Sequence, residues 1–150
     1  YYQPKEILEI SESREDYFMK ICKHINIVGG MIILIDYGYF DKPKYFTLQS
    51  LHNNKKSNVL DNPGLQDVTS LVDFNQLIIV AKSQNLEVNI FSTQREFFLN
   101  HGIKEREKKI IFKSTDEQKK IIRNGLERLI DNKKMGSLFK VLIVSKSYDN

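Results

Sequence analysis

Apolar residues recur along this chain with two different periods, and the alternation between them predicts its elements. Over residues 13–25, Tyr17, Phe18, Ile21, Cys22 and Ile25 repeat at helical spacing, which gives one apolar helix face. Ser13 with Asp16 resembles a capping pair at its start, and Gly29-Gly30 ends the helix and turns the chain. Met31–Ile35 follows as an unbroken apolar run, too short for a helix of its own. Such a run predicts a strand buried on both faces, as in a parallel sheet covered by helices. Residues 39–72 are polar and punctuated by Pro43, Asn53-Asn54 and Asn62-Pro63-Gly64, which predicts a long surface excursion. Stretches of that length are usually functional or mobile.

Asp73 and Gln76 form the next capping pair, ahead of a helix whose Phe74, Leu77, Ile78 and Ala81 share a face. Leu86–Phe91 alternates through Leu86, Val88 and Ile90 and reads as a strand. Thr93-x-x-Glu96 is a capping box for a short helix closed by Gly102. Ser114-x-x-Glu117 opens a longer helix with Ile121, Ile122, Leu126, Leu129 and Ile130 inward, and Leu138–Val144 is a third apolar strand. The order of helices and strands places the chain in the α/β class. Three strands are few for an independent α/β domain, and the first needs neighbours on both edges, so the chain reads as the second half of a larger sheet. The opening YYQPKEILEI has no initiator methionine, which reads as the start of a fragment.

Composition narrows the function classes. The 150 residues suit a single domain of roughly 100–200 residues. At 41% hydrophobic and 28% charged, the chain can bury a core and is not of a disordered type. The net charge of +4 is mild and the lysines scatter from Lys5 to Lys146. The run Lys104-Glu105-Arg106-Glu107-Lys108-Lys109 alternates in sign like a solvated helix face, so no nucleic-acid partner is expected. The single cysteine, Cys22, excludes an intrachain disulfide, suits a reducing compartment, and stands on an apolar face as a packing residue. The longest apolar run is far short of the ~20 residues that cross a bilayer, so no membrane insertion is expected.

His24, His52 and His101 are widely spaced without ligand-type neighbours, so no metal site is expected. Gly29-Gly30 precedes a strand, whereas phosphate cradles follow one. The stretch that stands out is Asp36-Tyr37-Gly38, at the carboxyl end of the first strand, where open α/β sheets bind ligands. By spacing alone it reads more readily as a strand terminator, with Gly38 allowing a sharp exit. Asp67, Thr69 and Asp73 likewise read as turn and cap residues.

Four stretches change that balance together. GGMIILIDYG, DNPGLQDVTSLVDF, TQREFFLNHGI and MGSLFKVLIV resemble, in order and approximate spacing, the pattern of the MidA-type methyltransferases, which are class I S-adenosylmethionine-dependent enzymes. The resemblance spans about residues 9–146. It implies the C-terminal half of a seven-stranded, Rossmann-like sheet. Met31–Ile35 would be its fifth strand, Leu86–Phe91 the sixth, and Leu138–Val144 the seventh, inserted antiparallel between them. Matching positions are Asp36, Tyr37, Gly38, Pro63, Gly64, Asp67, Thr69, Asp73, Phe74, Gln94, Gly136, Phe139 and Lys140. The sequence departs from the pattern at Leu65, Gln66, Leu71 and Arg95, and in a gapless reading at Asn54.

The resemblance implies S-adenosylmethionine as cofactor, but the Gly-rich turn and acidic residue that hold it would precede Tyr1, so residues 1–150 are expected to be a partial methyltransferase domain. Its substrate-side candidates are Asp36, Tyr37, Gly38, Asp67, Thr69, Asp73 and Gln94. The implied activity is protein arginine methylation. The family's mitochondrial member acts on a respiratory complex I subunit, so the expected location is mitochondrial in a eukaryote and otherwise cytoplasmic. The alternatives are a non-catalytic interaction module, or a split-gene remnant that needs a separate N-terminal chain.

Overall fold

A computed structural model describes residues 9–147; the opening residues 1–8 lie outside it. Helix α1 (Glu12–Val28) leads into strand β1 (Met31–Tyr39). The excursion carries β2 (Gln49–His52), β3 (Lys55–Ser57) and β4 (Asp67–Thr69), and returns through the two-residue β5 (Val72–Asp73) into α2 (Phe74–Ser83). Strand β6 (Leu86–Thr93) is followed by α3 (Gln94–Asn100), α4 (Ile103–Phe112), α5 (Asp116–Ile130), the single turn α6 (Met135–Leu138) and β7 (Phe139–Lys146).

The main sheet has the order β5-β1-β7-β6. Strand β7 runs antiparallel to both β1 and β6, with Ile33 opposite Ile143 and Val88 opposite Val144. This agrees with the central antiparallel place expected for Leu138–Val144, although Leu138 itself belongs to α6. One face of the sheet packs on α1 and α2 through Phe18, Cys22, Phe74, Leu77, Ile32, Leu142 and Val144. Cys22 is wholly buried there, and burial pushes its thiol up to about 11. Val141 and Ile143 alternate onto the other face and are buried too, where α3 and α6 approach β7.

Several sequence expectations are corrected. Strand β1 is not covered on both faces: Met31, Ile33 and Ile35 remain 59%, 54% and 46% exposed. Along Met31–Tyr37 its edge away from β7 has no partner among the described residues, because β5 meets it only at Gly38 and Tyr39. Helix α1 starts before Ser13, with Ser11 as N-cap and no side-chain cap bond. The box that opens α5 is Thr115 with Gln118, one residue beyond the Ser114–Glu117 pair. Ile121 is 71% exposed, so the inward face of α5 is carried by Leu126 and Ile130. In β6 the alternation breaks at a bulge between Val88 and Ile90, which puts Phe91, not Ile90, against the α1–α2 core.

The excursion is built. Strands β3, β2 and β4 form a small antiparallel sheet. The β2–β3 hairpin turns through Asn53 and Asn54, both at positive φ (50° and 60°), the backbone of a two-residue primed turn. Ser50, 2% exposed, donates to the Ser57 carbonyl at 2.9 Å, and Gln66 donates to the carbonyls of Asn58 and Val59 at 3.0 and 2.7 Å.

Candidate functional site

The carboxyl end of β1 is held by β5. Gly38 lies opposite Val72, and Tyr39 opposite Asp73. The glycine is there for contact, not for a turn: a Cβ would stand 2.4 Å from the Val72 carbonyl oxygen and 2.7 Å from the Phe74 ring. The expected sharp exit at Gly38 is therefore corrected, since the strand continues through Tyr39. The Tyr39 hydroxyl hydrogen-bonds to Asp73; burial, then the charges of Asp73 and Glu9, raise its pKa above the ordinary tyrosine value. Asp73 also caps α2, accepting from the Gln76 backbone N–H at 3.0 Å.

The residues just before and within α1 close over this end. The Glu9 carboxylate accepts from the Thr47 N–H at 2.7 Å, the Thr47 hydroxyl at 2.5 Å and the Leu48 N–H at 3.1 Å. Burial raises the Glu9 carboxyl, but these bonds and the nearby Arg14 charge outweigh it and hold Glu9 below its ordinary value. Thr47 Oγ1 in turn accepts from the Leu71 N–H at 3.0 Å, so one carboxylate ties both ends of the excursion to the start of α1. Arg14 donates to Ser70 Oγ at 3.1 Å, and Gln76 Nε2 to Glu15 at 3.2 Å. Between these side chains lies a polar cavity of about 60 Å³.

Arg14 also borders a second space. A groove of about 260 Å³ runs between α1 and the open edge of β1, lined by Tyr17, Phe18, Leu34, Ile35, Asp36 and Val72. Asp36 is exposed, with one carboxylate oxygen accepting from the Tyr37 N–H at 2.8 Å. The Tyr37 ring meets Phe139 edge-on, with centroids 5.7 Å apart. The arrangement offers an exposed carboxylate at an apolar groove, with a guanidinium beside it. It can orient a cationic group by charge-assisted hydrogen bonds.

The seven candidate residues do not gather in one place. Asp36, Tyr37 and Gly38 are consecutive on β1, and Asp73 joins them through Tyr39. Asp67 and Thr69 belong to the small sheet, opposite Leu51 and Gln49. Gln94 is buried and donates to the Leu129 carbonyl at 2.9 Å. Beside it Arg95 donates to the Ile130 carbonyl at 2.7 Å, and Gly136 passes so close that a Cβ would stand 2.5 Å from that oxygen. These three residues fasten the C-terminal end of α5. Sequence reasoning missed Glu9, Arg14, Tyr39, Thr47 and Ser70. Of these, only Tyr39 adjoins a recognisable step; the others meet across separations of 38 and 56 residues.

Where family pattern and sequence part, the local structure supplies a use. Asn54 takes the positive φ of the hairpin turn, Gln66 braces the 58–59 loop, and Arg95 caps α5. Both strand-to-helix junctions of the main sheet are closed by their own side chains: Asp73 at α2, and the Thr93–Glu96 capping box at α3. Each cap takes one first-turn amide, that of Gln76 in α2 and that of Glu96 in α3.

Comparison with known proteins adds three findings. Residues 1–92 match a family model described as "Putative S-adenosyl-L-methionine-dependent methyltransferase". The chain is 33% identical over 145 residues to the mitochondrial protein arginine methyltransferase NDUFAF7 of Xenopus tropicalis, covering 95% of this chain and 33% of that protein. To the Homo sapiens protein of the same name it is 31% identical over 121 residues, covering 80% and 27%. The chain thus spans about a third of the length of the curated relatives it matches.

Two solved structures from Burkholderia thailandensis share the fold. One, at 24% identity, has a TM-score of 0.83 over 94% of this chain and 39% of its own. The other, bound to S-adenosyl-homocysteine, has 22% identity and a TM-score of 0.78 over 94% and 38%. The family match takes in α1, β1, the structured excursion, α2 and nearly all of β6, and by it this chain belongs to the MidA-type family of S-adenosylmethionine-dependent methyltransferases.

Proposed function

We propose that this chain is the substrate-side, C-terminal part of an S-adenosylmethionine-dependent protein arginine methyltransferase. The observation that carries the reading is its 33% identity, over 95% of the chain, with a relative named for that activity. In this reading β1, β6 and β7 are the fifth, sixth and seventh strands of a class I sheet, and residues 1–150 are one part of the catalytic domain. The cofactor is held by polypeptide that precedes them and supplies an electrophilic methyl group. The acceptor is an arginine of a protein, with a complex I subunit as the first candidate and the mitochondrion as the location in a eukaryote.

Methyl transfer to a guanidinium needs alignment and desolvation more than acid–base help. Asp36 holds the acceptor guanidinium by charge-assisted hydrogen bonds at the groove, and Tyr37 and Gly38 fix the strand that presents it. Among the described residues the edge of β1 along Met31–Tyr37 has no partner, which favours a second form of the same reading, in which a separate N-terminal chain completes the sheet.

The test is Asp36→Asn in the full-length enzyme. Methyl transfer should fall at least about tenfold, equivalent to about 1.4 kcal/mol of barrier, while stability changes by less than about 1 kcal/mol, as at most exposed positions. Large destabilisation with unchanged transfer would make Asp36 a strand terminator and nothing more. In calorimetric titration, residues 1–150 alone should give no saturable heat with S-adenosylmethionine; tight 1:1 binding would overturn the division of labour.

A further inference from the structure

The net charge of the chain is localised. Between Lys104 and Arg123 stand eight basic and four acidic residues, a net +4, equal to the formal charge of all 150 residues. Everything outside this stretch is neutral in sum. The stretch is α4, the turn at Lys113–Thr115 and the first half of α5.

This hairpin stands off the sheet. Helix α4 has no buried residue and packs chiefly against α5 and α3. Its last residue, Phe112, is 87% exposed, and Ile110 is 40% exposed. Lys108, Lys109 and Lys113 surround that ring in a shallow apolar concavity completed by Ile110 and Ser114. The acidic residues of the stretch partly serve other basic groups: Glu107 pairs with Lys104 at 3.1 Å and Asp116 with Lys119 at 2.8 Å. Among the described residues, Lys108, Lys109 and Lys113 make no ion pair.

A solvated helix face explains the lysines but not the aromatic ring at the tip. Phe112 and Ile110 lie together in one apolar concavity, and it is a contiguous exposed apolar patch, not a single scattered side chain, that marks an interaction surface. Cations ringing an apolar tip are what an anionic lipid surface selects: ammonium groups meet the headgroups while the ring enters the boundary with the acyl chains. Nucleic acid would use the same lysines, but its phosphates offer the ring no apolar layer. We propose that the α4–α5 hairpin docks this protein peripherally on the anionic surface of a lipid bilayer, through Phe112 and its lysines. The proposal is independent of the methyltransferase reading.

Co-sedimentation of the chain with lipid vesicles tests it, using phosphatidylcholine alone and an equal mixture with phosphatidylserine. The chain should pellet with the mixed vesicles, not with phosphatidylcholine alone, and be released by raised salt. Phe112→Ala should weaken partitioning about tenfold, the loss expected for one aromatic ring at the interface. Replacing Lys108, Lys109 and Lys113 together by glutamate should weaken it by more than about a hundredfold. All four residues are on the surface, so circular dichroism and melting temperature should match the parent. Failure to bind mixed vesicles overturns the proposal, as does binding that Phe112→Ala leaves unchanged. Salt-sensitive retention on DNA or polyglutamate without vesicle binding would assign the patch to a polyanion instead.

Discussion

Strands β1 and β7 lie side by side and are built from the same apolar residues, yet they meet different surroundings. Val141, Leu142 and Val144 expose nothing and Ile143 only 8%, whereas every second residue of β1 from Met31 to Ile35 is about half exposed. Strand β7 has a partner on each edge and packing on both faces. Among the described residues, strand β1 has one full partner, one covered face, and an edge open over seven residues. An apolar strand's exposure therefore records how many neighbours it has, and β1 has fewer among the described residues than its composition suits. The curated relatives it matches are about three times as long.

The sharpest way to break this comparison is a charge on each strand. Val141→Asp buries a carboxylate with no partner and should cost several kcal/mol. Ile33→Asp, on the exposed row of β1, should cost less than about 1 kcal/mol in the same chain. Equal melting temperatures for the two variants would mean that β7 is not central.

A smaller effect probes the junction where β1 does gain a second neighbour. Gly38→Ala drives a methyl group into the Val72 carbonyl and the Phe74 ring, and should cost about 1–3 kcal/mol as an overpacked site. A neutral result in chemical denaturation would separate β5 from β1.

The smallest effect is in the acid limb of stability. Glu9 has a folded pKa below its ordinary 4.5, so its contribution is complete above about that pH and is lost as pH falls through the lower folded value. Glu9→Gln should flatten that part of the stability–pH curve and loosen the excursion at Thr47. Hydrogen exchange at the Thr47 and Leu48 amides checks it.

Much of the frame was legible because it is local. The Gly29-Gly30 turn, Asp73 as a cap, and the Thr93–Glu96 box each need only residues within a few positions. Central placement of β7 followed from its unbroken apolarity together with the family resemblance. What was not legible depends on distant partners or on single-residue register. The bulge in β6 moves Phe91 into the core in place of Ile90, and nothing in the strand's composition marks it. The cavity at the end of β1 is assembled by Glu9, Arg14 and Ser70, polar residues with no shared spacing. Residues 39–72 read as an irregular loop because their strands are short. Their order comes from an asparagine turn and from Ser50 and Gln66 bonding across the small sheet.

The unpaired edge of β1 has a further consequence, for handling and for quality control in the cell. Along Met31–Tyr37, alternate residues present backbone donors and acceptors that no described residue pairs, with no proline, lysine or bulge to discourage pairing. Such an edge is a template for strands from other molecules. Kept by itself at high concentration, this chain should lose monomer to edge-to-edge assemblies.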